Sequence, residues 1–189
     1  MPEPTAAIPL TAVLFGLSDC LVDSNGCLTT GAGQGLEHLR MQKVPCIWLD
    51  ELSDTLAQQR SARLPAWLAT CNNPPGQPRW PSPQACWRAL SKLDAAKLEG
   101  CLLISGNPQL LRSALAAGLW TVGLASWEAR RELTTAQWLA LTPHARDLKR
   151  GKATMALFDL GVHSVIDHLE ELASCLEDVG LRRFKGEKP

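Results

Sequence analysis

The chain has no tyrosine and only three phenylalanines in 189 residues, so its aromatic content rests on seven tryptophans. It has no excess charge of either sign, with 19 basic and 19 acidic residues. A neutral chain has no broad electrostatic pull toward nucleic acid or an anionic membrane surface, and neither is expected as a partner. No apolar run approaches the ~18–20 residues that a membrane helix needs. Met1-Pro2-Glu3-Pro4 brings no Lys or Arg ahead of an apolar stretch, so no signal peptide is expected and a cytoplasmic location is. The seven cysteines, Cys20, Cys27, Cys46, Cys71, Cys86, Cys101 and Cys175, include no C-x-x-C pair. That spacing argues against a disulfide framework and against a zinc site. Hydrophobic content of 46% and charged content of 20% fit one ordinary domain over residues 1–189.

What is present begins with Thr11-Ala12-Val13-Leu14-Phe15-Gly16-Leu17-Ser18-Asp19, an apolar run broken by a tight loop. It reads as a buried strand, Ala12–Phe15, whose carboxyl end carries a site, because ligands of open α/β sheets collect there. Further strands are expected at Val44–Leu49, Cys101–Ile104, Thr121–Leu124 and Ser164–Ile166. Helices are expected up to about Gln42, from an N-cap at Ser53 to about Arg60, over Gln84–Leu93 and over Pro108–Ala117. A helical region from about Thr134 to Leu160 and a helix over His168–Leu181 complete the pattern. Ala85, Trp87, Ala89 and Leu90 are expected to face inward. The proline-dense stretch from Cys71 to Pro83 excludes helix and central strand and reads as a long surface loop. Strand and helix alternate as in a parallel α/β sheet.

Several smaller features are read as structural. Gly31, Gly33 and Gly35 tempt one toward a dinucleotide fingerprint, but they do not follow the strand directly and are too closely spaced. Cys20 lies beside the expected site and reads as an inert loop thiol. His163 and His168 read as satisfied structural histidines, and His38 and His144 as surface groups. Trp80 and Trp127 are expected in loops, where they could form an exposed patch. Arg182, Arg183, Lys185 and Lys188 read as a solvated terminus.

Three segments resemble the haloacid dehalogenase (HAD) superfamily. The first strand and loop resemble its first motif, an apolar strand followed by Asp-x-Asp-Gly-x-x-x-Asp, of which Asp23 retains the trailing acid. Trp80-Pro81-Ser82-Pro83 resembles the third motif, where a basic residue precedes Pro-x-Pro and a helix. Ser105-Gly106-Asn107, with Ala116-Ala117-Gly118-Leu119-Trp120-Thr121-Val122-Gly123 behind it, resembles the fourth motif and its tail. That tail, Gly161-Val162-His163-Ser164-Val165-Ile166-Asp167 and the terminal Phe184-Lys185-Gly186 are similar to phosphonoacetaldehyde hydrolases. The resemblance implies a three-layer Rossmann-like core, a parallel sheet with helices on both faces. It also implies a chemistry in which an Asp attacks phosphorus, carboxylates hold Mg²⁺ and a Lys or Arg balances the phosphate charge.

Carried over by position, the resemblance puts Gly16 where the nucleophile stands and Ser18 at the second Asp. The second motif's Thr falls at Leu49 or Asp50, and the basic group of the third at Trp80, one residue from Arg79. Gly106 takes the place of the metal-binding Asp, Asn107 follows it, and the downstream acid falls at Leu110. About twenty residues separate Asp23 from Val44, room for one helix and not for the cap domain of phosphonoacetaldehyde hydrolases. Lys43 is not a candidate for the cap lysine. The expectation is a capless, non-catalytic relative that binds or regulates, without a cofactor, and whose partner is an unnamed protein or small molecule. A homo-oligomer is possible, though not through a cap. The alternative is a divergent HAD-type phosphatase or phosphonatase using Asp19 or Asp23, with Arg79 nearby and Mg²⁺ required.

Overall fold

The computed structural model describes residues 9–18, 20–50, 54–71, 81–131 and 133–189, with the backbone alone at Asp54 and Thr135. Six parallel strands form one sheet in the order β3-β2-β1-β4-β5-β6. They are β1 Ala12–Gly16, β2 Cys46–Leu49, β3 Ala69–Cys71, β4 Cys101–Ser105, β5 Trp120–Leu124 and β6 Ser164–Ile166. The helices are α1 Ala32–Met41, α2 Asp54–Ser61, α3 Gln84–Lys92, α4 Pro108–Ala116, α5 Ala125–Glu128, α6 Thr135–Ala140, α7 Pro143–Asp159 and α8 Leu172–Phe184. A 3₁₀ turn at Leu169–Glu171 leads into α8.

Successive side chains of a strand point to opposite faces, and β1 buries both. Val13 and Phe15 join Trp48, Ile104, Trp120, Leu36 of α1 and Val179 of α8 in one core layer. Ala12 and Leu14 join Ile47, Leu103, Ala89 of α3, Leu111 of α4 and Leu157 of α7 in the other. A strand covered on both sides has to be apolar throughout, which is why the first strand is legible. Each fully buried side chain of this size contributes roughly 1.5–3 kcal/mol. The sheet with helices on both faces is the three-layer architecture expected.

α1 is the helix described between β1 and β2, so no helical cap stands there among the described residues. The glycine run before and within α1 serves packing. Gly31 has φ +79, and a Cβ on it would lie 2.1 Å from the Glu170 amide nitrogen. Glycine there lets the start of α1 press against the 3₁₀ turn. A Cβ on Gly35 would lie 3.0 Å from Leu172 Cδ2.

Some expectations need correction. β3 has no counterpart among the strands read from the sequence. It is three residues long, half-buried and at the sheet edge, where intrinsic pattern is weakest. Trp87 does not face inward. It is 46% exposed, and its indole N–H donates to the Ala117 carbonyl at 3.4 Å, while Cys86 takes the core position. Trp127 lies in the short helix α5, packed partly against the core, and not in a loop. The basic terminus is structural in part. Arg183 is buried and donates through Nη1 and Nη2 to the Pro9 carbonyl, both at 3.2 Å. The Ser53 N-cap and residues 72–80 of the proline-dense stretch, with Arg79 and Trp80, lie outside the described residues.

At the β5–β6 edge, Arg182 stacks over Trp120 with its guanidinium carbon 4.9 Å from the ring centroid. It also donates to the His163 carbonyl at 2.7 Å. The Thr121 N–H donates to His163 Nδ1 at 3.0 Å, which fixes the neutral ring as an acceptor at that nitrogen. Burial, and secondly the Arg182 charge, hold His163 below the ordinary histidine value of 6.5. The neutral form is therefore favoured in the fold, and the unfolded chain takes up the proton first. Its contribution to stability is complete above 6.5 and is lost as the pH falls from there through the lowered folded-state value. Urea titrations of the protein and of His163→Gln across that interval should show the difference in stability between them shrinking as the pH falls.

Candidate functional site

Four chain turns meet at the carboxyl ends of the central strands. β1 ends in Gly16, register-paired with Leu49, the last residue of β2. Asp50 follows β2 and is buried. Its Oδ2 accepts from the Ser18 amide at 3.1 Å and from the Ser18 hydroxyl at 2.7 Å. Arg60 Nη1, from α2, donates to the same hydroxyl at 3.1 Å. Ser18, Asp50 and Arg60 thus tie the loop after β1 to the end of β2 and to α2, and charge-assisted bonds of this kind hold a loop firmly.

On the other side of β1 the space is filled. A Cβ on Gly16 would lie 2.7 Å from Ser105 Oγ and 3.5 Å from Leu110 Cδ2. Ser105 is the last residue of β4, and its hydroxyl accepts the Asn107 N–H at 3.0 Å. Asn107 in turn caps α4, its Oδ1 accepting from the Gln109 N–H at 2.9 Å and the Leu110 N–H at 3.4 Å. Leu110 is fully buried. A Cβ on Gly106 would lie 2.5 Å from Trp127 Cβ and 2.8 Å from ring atoms Cδ2 and Cε3. Real Cβ atoms do not approach that closely, so the glycine and the tryptophan fit only as a pair.

The expected site residues are therefore brought together in part. Gly16, Ser18, Asp50, Gly106 and Asn107 gather at one end of β1, β2 and β4. Asp19 and Trp80 lie outside the described residues. Asp23 is occupied with its own loop, Oδ1 accepting the Asn25 and Cys27 N–H groups, each at 2.9 Å. Ser105, Leu110 and Trp127 form the walls. Sequence reasoning placed Ser105 and Leu110 in the fourth motif without seeing that they close on Gly16. The register pair Ser105–Gly123 brings the ends of β4 and β5 together, ahead of Gly106 and of the α5 tryptophan. That pairing was the signal for Trp127, and it is not visible in local pattern.

Nucleophilic and metal-binding groups are sparse here among the described residues. Cys20 is buried, with its Sγ 3.4 Å from the Ile104 carbonyl. Burial pushes the Cys46 and Cys86 thiols up to about 12, and those of Cys101 and Cys175 to about 11, where a thiolate is absent at neutral pH. Mg²⁺ takes oxygen ligands, with carboxylates central to the set. Among the described residues no group of three His, Cys, Asp or Glu side chains is placed to hold a metal ion. Of the described carboxylates at this end, Asp50 is bonded to Ser18 and Asp23 to its own turn.

Beside this closed floor lies an open cleft of about 530 Å³, between the loop after β1 and the segments after β5 and β6. Its lining includes Asp23, Thr29, Trp127, Arg130 and His168. The volume is in the range of small-molecule sites. Trp127 forms the divide, closing Gly106 on one side and walling the cleft on the other.

No family model matches the chain. Among curated proteins, the phosphonoacetaldehyde hydrolase of Bordetella pertussis is 28% identical over 109 residues, 58% of this chain and 40% of that protein. That of Syntrophobacter fumaroxidans is 27% identical over 135 residues, 70% of this chain and 47% of its own length. The chain thus spans less than half the length of these relatives. One solved structure is 48% identical over 96% of this chain and 100% of its own, with a TM-score of 0.89. A phosphonoacetaldehyde hydrolase-like protein from Oleispira antarctica has a TM-score of 0.77 at 22% identity, covering 87% of this chain and 61% of that one. A HAD family hydrolase from Deinococcus radiodurans, solved with phosphate and sodium, has a TM-score of 0.66 at 18% identity, covering 92% and 97%. With its motif segments and its six-stranded parallel sheet, the chain is related to the phosphonoacetaldehyde hydrolases and has the fold of haloacid dehalogenase-like hydrolases.

Proposed function

We propose that this protein is a non-catalytic member of its superfamily that acts by binding, as a regulatory or partner-recognising protein. One observation carries the reading. The two positions where the family places its attacking and metal-holding carboxylates are glycines whose missing side-chain space is already taken, by Ser105 and by Trp127. A carboxylate nucleophile has to exist before an acyl-phosphate can form, and the phosphoryl group's charge has to be balanced by metal and cation. Leu110, fully buried beside Gly16, supplies an apolar wall where an acid stands in the family. The cleft beyond Trp127 is the natural seat for a retained small ligand, and a protein partner is the other candidate. In this reading residues 1–189 work as one cytoplasmic domain, without a cofactor and without nucleic acid or membrane as partner.

Purified protein supplied with Mg²⁺ should turn over neither phosphonoacetaldehyde nor p-nitrophenyl phosphate above the rate without protein. Turnover that disappears in Asp19→Ala or Asp23→Ala would replace this reading with a divergent hydrolase.

The closed floor makes its own demand on stability. Gly16→Ala should destabilise the protein by about 1–3 kcal/mol, the usual range for overpacking a filled core. In a Ser105→Ala background the same change should cost clearly less, because the nearest obstructing atom is the serine hydroxyl. Chemical denaturation of the four proteins measures both. Equal costs in the two backgrounds would mean that the space is not contested.

A further inference from the structure

Helix α7 has two apolar faces, and its own sheet uses one. Ala153 and Leu157 are buried against the core. On the opposite side Leu148, Met155 and Phe158 are 56%, 62% and 49% exposed. Together with His144 and Gly151, both exposed, they fall at spacings of four, three, four and three residues. That is the seam of a coiled coil, narrower than the stripe a helix needs to sit on a sheet.

Gly151 sits mid-helix, where glycine is the least favourable residue after proline. Nothing lies within 4 Å of the position a Cβ would take there, so no neighbour among the described residues requires the side chain to be missing. A second helix crossing closely at that point would require it. Small residues at a crossing allow two backbones to approach.

The charges beside the seam choose the occupant and its direction. With Leu148 and Met155 at position a, and Gly151 and Phe158 at d, Asp147 falls at g and Lys152 at e. In a parallel pair of identical helices each g faces the following e of its neighbour. Asp147 of each copy would then meet Lys152 of the other, twice by symmetry. An antiparallel pair would bring the two Lys152 side chains toward each other instead. Asp147 bonds Arg150 within its own helix but remains 61% exposed, and so keeps acceptor capacity for a second cation.

We infer that this protein pairs with a second copy of itself through α7, as a parallel two-fold helix pair crossing near Gly151. The surface carries both halves of its own complement, apolar seam and opposite charges, which a foreign partner would not require of a single helix. The inference is independent of whether the site at the sheet's carboxyl ends is catalytic.

Sedimentation equilibrium of the full chain, from about 1 to about 200 µM at low salt, spans the range in which a micromolar contact dissociates. The average mass should rise from the monomer toward twice that value. Met155→Glu should remain monomeric throughout with an unchanged circular dichroism spectrum. Asp147→Lys and Lys152→Asp should each weaken dimerisation at least about fivefold, and the two together should restore it to within about twofold. A wild-type monomer at every concentration would overturn the inference, as would a dimer indifferent to Met155→Glu. A charge-exchanged double variant no tighter than the single ones would refute the parallel pairing.

Discussion

Strand β1 is pressed from both sides, and a side chain on its last residue would contend with Ser105 for space. That constraint organises the rest. Because both faces of β1 are buried, the strand is apolar, the sheet builds outward from it, and helices cover both layers. Because Ser105 lies 2.7 Å from where a Cβ on Gly16 would stand, β1 and β4 close together at their carboxyl ends. In an open α/β sheet that end is where chemistry is assembled. Among the described residues, Ser105 and Trp127 pack against Gly16 and Gly106 there, and an open cleft lies past Trp127, between the loops after β1, β5 and β6.

The polar groups that remain at this end hold structure. Asp50 anchors Ser18, Asp23 closes its own turn, and Asn107 caps α4. Each carboxylate or amide accepts from backbone or hydroxyl donors in its own neighbourhood. Asp50, Asp23 and Asn107 thus serve as loop staples within a sheet of the superfamily's shape. The family relationship and the local chemistry are thus separable, and the fold alone does not decide the activity.

The sequence was informative where burial was complete. β1, β4 and β5 are runs of apolar residues because they are covered on both faces, and Gly118 and Pro108 bound α4 as expected. It was least informative where a residue's role depends on a distant neighbour. β3 is an edge strand that pairs with β2 and packs against α3. Trp87 has the periodicity of a core residue, yet it stays near the surface because Cys86 points inward. Trp127 read as a loop tryptophan because nothing local reveals that Gly106 lies beneath it. The glycines at 16 and 106 could be matched to the family's motifs, but the reason they cannot simply be refilled lies in Ser105 and Trp127.

The contact between Gly31 and the turn at Leu169–Glu171 also bears on how the chain is made. The start of α1 is shaped to lie against backbone that leaves the ribosome some 140 residues later, so the first crossover cannot settle until the turn at Leu169–Glu171 has been made. β1 likewise needs β4 beside it before it is shielded from water. A nascent chain halted before the closing helix would therefore hold an unfinished, sticky sheet and would be a natural client for chaperones.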